Sequence, residues 1–158
     1  MLAVIRGVNL ALCIFFTVCY SYQILYAILG IFLQPKKYQA KKDHRFAVVI
    51  PARNERSVIP ALIASIKKQN YPQKLIDIFV IADNCTDDTA QVARQSGAKV
   101  YERFNRQLVG KGYALDYLFH RMKDDGLCDQ YEGFFIFDAD NLLDENYIRE
   151  MNKVFDNG

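Results

Sequence analysis

The chain has 158 residues, 51% of them hydrophobic and 24% charged, with 20 Lys/Arg against 18 Asp/Glu and a formal net charge of +2. That length suffices for one modest domain, and the near-balanced charge offers no strongly basic surface of the kind nucleic-acid binding requires. Its four cysteines, Cys13, Cys19, Cys85 and Cys128, show neither Cys-x-x-Cys nor Cys/His ligand spacing, so neither a zinc site nor a disulfide framework is supported.

From Gly7 to Leu33 the sequence is almost wholly apolar, broken by Asn9, Thr17, Ser21, Tyr22 and Gln23, with no charge between Arg6 and Lys36. This reaches the ~20 residues that cross a bilayer as a helix and exceeds the ~7–15 apolar residues of a signal peptide. The pattern predicts a transmembrane anchor over residues 1–34; the alternative, a buried core helix, would be expected to show a polar face. Next comes a basic juxtamembrane linker over residues 35–45, in which Lys36, Lys37, Lys41, Lys42 and Arg45 surround the single Asp43. Such a cluster suits anionic membrane lipid. The positive-inside rule then predicts a single-pass membrane protein with its soluble domain in the cytoplasm. Without this cluster and Arg6 the remainder carries 14 basic and 17 acidic residues, a net charge of −3, and nucleic-acid binding is not indicated.

The soluble part begins with Phe46-Ala47-Val48-Val49-Ile50, a β-branched run that reads as a buried strand stopped by Pro51. Val58, Leu62, Ile63 and Ile66 fall near a period of 3.6 and predict a helix closed by Lys67-Lys68, where cations suit the dipole. Asn70-Tyr71-Pro72 breaks it, and Ile76 to Ala82 is a second strand. Thr86-Asp87-Asp88-Thr89 reads as a cap with acidic first-turn residues, opening a short helix that ends at Gly97. Lys99 to Tyr101 forms a third strand, Gly110 to Met122 an amphipathic helix, Phe134 to Phe137 a fourth strand and Glu145 to Phe155 a last helix. Strand and helix alternate four times, which predicts an α/β fold with a mostly parallel sheet, right-handed crossovers and helices on both faces.

The chemistry gathers just after the strands. Phe134-Phe135-Ile136-Phe137 has the length and content of a strand covered on both faces, and it ends in Asp138-Ala139-Asp140. Thirteen aspartates in the chain give roughly one Asp-x-Asp by chance, and turn or cap residues are the plain alternative. Context favours a site: Arg53-Asn54-Glu55 follows the first strand and Asp83-Asn84 the second, and ligands of open α/β sheets bind at the carboxyl ends of strands. Hard cations such as Mg²⁺ or Mn²⁺ take oxygen ligands and bridge one or two carboxylates to substrate phosphates. The pattern therefore predicts metal-assisted chemistry on a phosphorylated donor.

Taken in order, Val49-Ile50-Pro51-Ala52-Arg53-Asn54-Glu55, Ile81-Ala82-Asp83-Asn84-Cys85-Thr86-Asp87, Gly110-Lys111-Gly112-Tyr113-Ala114-Leu115-Asp116 and Asp138-Ala139-Asp140 resemble the donor half of a family 2 glycosyltransferase. This is the inverting family of cellulose, chitin, hyaluronan and poly-N-acetylglucosamine synthases. The resemblance runs from about Phe46 to Gly158 and implies a GT-A, Rossmann-like half domain over residues 46–158. It implies that Pro51, Ala52 and Arg53 line the donor nucleotide, that Glu55 lies near the nucleoside, and that Asp83 accepts a hydrogen bond from the uracil of a UDP-sugar. Lys111 would lie by the donor phosphates, Asp138 near the ribose or sugar, and Asp140 on a Mg²⁺ or Mn²⁺ ion at the diphosphate. Asp83 has the alternative of an Asx-turn residue and Glu55 that of a helix-start carboxylate. A purely solvated helix-start role for Lys111 is disfavoured, since a cation sits poorly at a helix N-terminus.

The family's general base belongs to a later Glu-Asp motif, followed in processive members by Gln-x-x-Arg-Trp. No matching pair appears here and the chain has no tryptophan, so no catalytic residue is assigned and the reading is a donor half whose C-terminal half or partner subunits lie elsewhere. Arg53 stands where many members carry tyrosine, and Asp83-Asn84 replaces a commoner Asp-Asp or Asp-Gly. The expectation is a membrane-anchored inverting glycosyltransferase of polysaccharide biosynthesis type, using a UDP-sugar and a glycan or other hydroxyl acceptor, inactive as this chain alone. A non-catalytic nucleotide-sugar-binding module is the alternative. A dehydrogenase or nucleotidyltransferase ranks lower, because neither Gly-x-Gly-x-x-Gly nor a Walker motif follows the first strand.

Overall fold

The computed structural model describes residues 1–32 and 38–158. Leu33 to Lys37, which contain the end of the apolar run and the first two lysines of the linker, lie outside the described residues. The chain divides into two compact units, Met1–Lys37 and Tyr38–Gly158.

The first unit is one helix, α1 (Leu2–Phe32), long and apolar enough to cross a membrane. At a rise of 1.5 Å per residue it is about 46 Å long, and none of its residues is buried. Two of its polar side chains bond back to their own helix: Thr17 Oγ1 donates to the Cys13 carbonyl at 2.8 Å and Ser21 Oγ to that of Val18 at 2.7 Å. In hydrocarbon those hydroxyls would need such partners.

The second unit is a parallel sheet of β1 (Phe46–Ala52), β2 (Ile76–Asp83), β3 (Lys99–Arg103) and β4 (Gly133–Ile136), with α2 (Ile59–Lys67), α3 (Thr89–Gln95), α4 (Lys111–Asp124) and α5 (Tyr147–Phe155) between and after the strands. Strand order is β3-β2-β1-β4, and every pair is parallel. The pleat sends Phe46, Val48, Ile50 and Ala52 to one face, against Ile59, Leu62, Ile63 and Ile66 of α2, Ala93 of α3 and Ile148 of α5. Ala47 and Val49 of β1 and Phe79 and Ile81 of β2 point the other way, onto Ala114, Leu118 and Met122 of α4. The expected helices on both faces are thus present. Phe79 and Ile50 have no exposed surface; burying side chains of this size contributes ~1.5–3 kcal/mol each.

Three local expectations are corrected. Pro51 does not stop β1, which continues to Ala52 in register with β2. The carbonyl of Val49 accepts from Phe137 N–H at 3.1 Å, so the backbone of residue 51, two positions on, turns toward the side where β4 has already ended. A missing N–H costs no ladder bond there. The acidic residues expected in the first turn of α3 precede the helix: Asp88 is the N-cap without a side-chain capping bond, and Asp87 Oδ1 accepts from the backbone N–H of Thr89 at 3.0 Å and from its hydroxyl at 2.5 Å, so the helix starts three residues after Thr86. Finally, β4 is not covered on both faces. It is an edge strand, and Phe134 and Ile136 remain 36% and 45% exposed because no element among the described residues lies beyond it.

Candidate functional site

The carboxyl ends of β1 and β2 are laced together by short polar contacts. Asn54 and Asn84 both sit at positive φ, 59° and 52°, a conformation that Asn tolerates better than most residues. That geometry turns the Asn54 side chain across to the next loop, where its Oδ1 accepts from Thr86 N–H at 2.8 Å. Glu55 N–H donates to Thr89 Oγ1 at 2.8 Å, which ties the start of the first loop to the start of α3. The Glu55 carboxylate makes no hydrogen bond among the described residues and is half-buried beside the cleft. Burial pushes the Cys85 thiol above its ordinary pKa, and its sulfur lies 3.6 Å from the Ala52 carbonyl. It is a packing residue.

Asp83, at the tip of β2, is 5% exposed and is fixed from two sides. Arg103 Nη1 donates to its Oδ1 at 2.6 Å and Asn84 Nδ2 to the same oxygen at 3.1 Å. The second carboxylate oxygen has no partner among the described residues. Arg103 Nη2 also donates to the Leu108 carbonyl at 2.7 Å, and Asn84 holds both the N–H (2.8 Å) and the carbonyl (3.1 Å) of Asn105. One buried guanidinium therefore anchors Asp83 and the loop of residues 104–109 together. Arg103 was not singled out in the sequence because β3 was expected to end at Tyr101. Extended by two residues, the parallel register places Arg103 directly beside Asp83, and that pairing was the available signal.

The loop ends at Gly110, whose φ of +133° is strained for any residue with a Cβ, and α4 starts at Lys111. Its exposed ammonium is paired with Asp138. The carboxylate offsets the cost of a cation at a helix N-terminus. Beyond the end of β4, Phe137 and Ala139 are buried while Asp138 and Asp140 are exposed, which leaves both carboxylates in solvent. Asn141 N–H closes the turn on the Asp138 carbonyl at 3.1 Å.

Pro51, Ala52, Arg53, Glu55, Asp83 and Lys111 line one cleft of about 200 Å³ with Gly110 and Ala114. Six of the eight expected positions thus meet there. Asp138 joins through its ion pair with Lys111; Asp140 does not line the cleft. A larger hollow of about 590 Å³ adjoins it across Arg53, bounded by Asn84, Thr86, Phe104, Arg106 and Val109. Phe104 is 71% exposed, and no sequence pattern marked it. No group of three or more His, Cys, Asp or Glu that could hold a metal occurs among the described residues. The Asp140 carboxylate, with the oxygen of Asp138 that Lys111 leaves unbonded, nevertheless fits a hard cation that takes its remaining ligands from water and substrate phosphates.

The sequence profile described as Glycosyltransferase like family 2 matches residues 44–158. The chain belongs to this glycosyltransferase family. Among curated relatives it is similar to 4,4'-diaponeurosporenoate glycosyltransferase of Staphylococcus haemolyticus, at 35% identity over 83 residues, and to the Staphylococcus aureus enzyme of the same name, at 46% over 55 residues. These matches cover 50% and 35% of this chain and only 21% and 14% of the relatives. Among solved structures it is similar to the mannosyltransferase PcManGT of Pyrobaculum calidifontis in complex with GDP-Man and Mn²⁺, with a TM-score of 0.66, 19% identity, and 87% of this chain and 41% of that chain covered. It is also similar to Staphylococcus aureus TarS in complex with UDP, with a TM-score of 0.53, 21% identity, and 72% and 32% covered. The fold is GT-A-like, and this chain spans about a fifth of the length of the first of these curated relatives.

Proposed function

We propose that this chain supplies the donor-binding half of a membrane-anchored, inverting glycosyltransferase that uses a UDP-sugar with Mg²⁺ or Mn²⁺ and transfers the sugar to a glycan or other hydroxyl acceptor. The observation that carries the reading is the meeting of Pro51, Ala52, Arg53, Glu55, Asp83 and Lys111 in one cleft at the carboxyl ends of parallel strands. Residues 1–34 are its anchor, residues 35–45 its basic linker, and residues 46–158 its nucleotide-sugar half domain. Basic residues after the span favour a cytoplasmic site.

Asp83 is suited to reading a base that offers an N–H. One oxygen is held by Arg103, leaving the other to accept from the ligand without reorganisation. Lys111 is suited to the diphosphate: its exposed pair with Asp138 holds the ammonium at the cleft mouth, and such a pair contributes at most ~1 kcal/mol. It can exchange that partner for a phosphate oxygen at little cost. A divalent cation held by Asp140 and the diphosphate would supply Lewis-acid charge as the leaving group gains negative charge. Lys111 adds a fixed positive charge to the same oxygens. None of these residues is assigned as the general base, which would be supplied by polypeptide beyond the eight site positions.

Competition between UDP, GDP and ADP for the full chain in detergent tests the reading. UDP should bind tightest, and Asp83→Ala should weaken UDP while leaving the metal requirement unchanged. Equal affinity for all three nucleotides would remove the role given to Asp83.

A further inference from the structure

The segment leading into β1 lies outside the strands, yet side chains from distant parts of the fold hold its backbone. Asn157 Nδ2 donates to the Gln39 carbonyl at 3.0 Å, and Lys41 N–H donates to Asp156 Oδ2 at 2.6 Å. Asn152 binds on both sides of residue 43: Nδ2 donates to the Lys42 carbonyl at 2.9 Å, and Oδ1 accepts from His44 N–H at 3.1 Å. The Tyr71 hydroxyl donates to the His44 carbonyl at 2.7 Å. Three of these partners follow or lie on α5, so the segment is strapped across that helix.

His44 closes the strap. Its ring is 8% exposed, set edge-on against Phe155 with centroids 4.9 Å apart. Nδ1 lies 2.7 Å from Glu132 Oε2 and Nε2 lies 2.8 Å from Asp156 Oδ1. A neutral imidazole has one N–H, and an ionised carboxylate has none. Both contacts are hydrogen bonds only when the ring carries two protons; in the neutral ring one lone pair would face a carboxylate. Lys42 is bonded to Glu132 at 2.7 Å, and the positive charge of Lys41 also acts on Asp156. Asp43 and Arg149 act on the neighbouring Tyr71 phenol with opposite signs.

We propose that residues 39–45 form a pH-sensitive strap latched by the His44 imidazolium, docked on α5 and Glu132 while the ring is charged and released when it loses its proton. The strap joins the segment that follows the apolar helix to the helix that follows Asp138 and Asp140, and it stands apart from the donor-site reading. Burial pulls the His44 pKa down, but Asp156 and Glu132 raise it by more, leaving it above the ordinary histidine value. In return, Lys42 and His44 draw Glu132 down to about 2, and the Lys41 N–H together with His44 lowers Asp156. A pKa raised on folding gives stability that is complete below the unfolded value and is lost as pH rises through the folded value. Release therefore comes on the alkaline side.

The chain has two histidines, so ¹⁵N-histidine spectra of the full chain in detergent micelles resolve His44 from the exposed His120, with His120→Gln giving the assignment. Amide exchange at Lys41 and His44, corrected for intrinsic rates, reads docking. The expected result is a doubly protonated His44 at neutral pH, with strap protection falling as that signal titrates, about tenfold for each pH unit by which the folded pKa exceeds the unfolded one. Asp156→Asn should move both transitions together to lower pH, by about one unit or more. A singly protonated His44 at neutral pH, or protection that ignores its titration, overturns the proposal. The wild-type spectra decide this even where the variant fails to fold.

Discussion

The β2–β3 corner, where Asp83 lines the cleft, and the tip of β4, which reaches the cleft only through the Asp138–Lys111 pair, are built in opposite ways. At the corner, Asp83 and Arg103 are both nearly buried, paired at 2.6 Å and tied into the 104–109 loop, so the geometry exists before any ligand arrives. At the tip, Asp138, Asp140 and Lys111 are exposed, and an ion pair between two solvated side chains ties Lys111 to Asp138 alone. Recognition of a base profits from rigidity, because a preformed acceptor pays no ordering cost. Groups that hold a cation and a departing diphosphate must exchange partners during the cycle, and exposure leaves them free to do so.

Mutations should separate the two regions. Within the site the largest effect is expected for Arg103→Ala, which strands the buried Asp83 carboxylate; such a loss costs ~3–5 kcal/mol, read as a lower denaturant midpoint with loss of UDP binding. Unchanged stability would mean that the corner is not held by this pair. Asp140→Ala should leave stability within ~0.5 kcal/mol yet weaken UDP at least about tenfold, or ~1.4 kcal/mol, with Mn²⁺ and not with EDTA. Equal losses under both conditions would remove Asp140 as a ligand. Lys111→Ala should weaken UDP more than uridine itself, by a few-fold, with little change in melting, since its exposed pair is worth at most ~1 kcal/mol. Away from the site, Ile136→Thr on the open side of β4 should shift stability by less than ~1 kcal/mol, whereas Phe79→Ala in the covered centre should cost ~3–5 kcal/mol.

Much of this was readable in the residues. The alternation of β-branched runs with 3.6-period helices predicted the parallel sheet, and of the eight site positions expected after strands and at the start of α4, six line one cleft while Asp140 does not. Three features escaped for physical reasons. A run such as Phe134 to Phe137 reports its length and bulk but not its neighbours, so an edge strand with an open face reads like a covered one. Arg103 looked like loop because short strands have weak ends, although its register partner is Asp83. The His44 latch joins residues 88 and 112 positions apart, a separation over which no local period carries information.

The most direct test of the donor-half account is calorimetric titration of UDP into the full chain in detergent, once with Mn²⁺ and once with EDTA, with ADP and GDP as controls. The account predicts uridine-selective binding that tightens with the metal and persists weakly without it, because the nucleoside corner is preformed and the metal tip is not. Binding that is indifferent to both base and metal, in a chain shown to be folded, would contradict it.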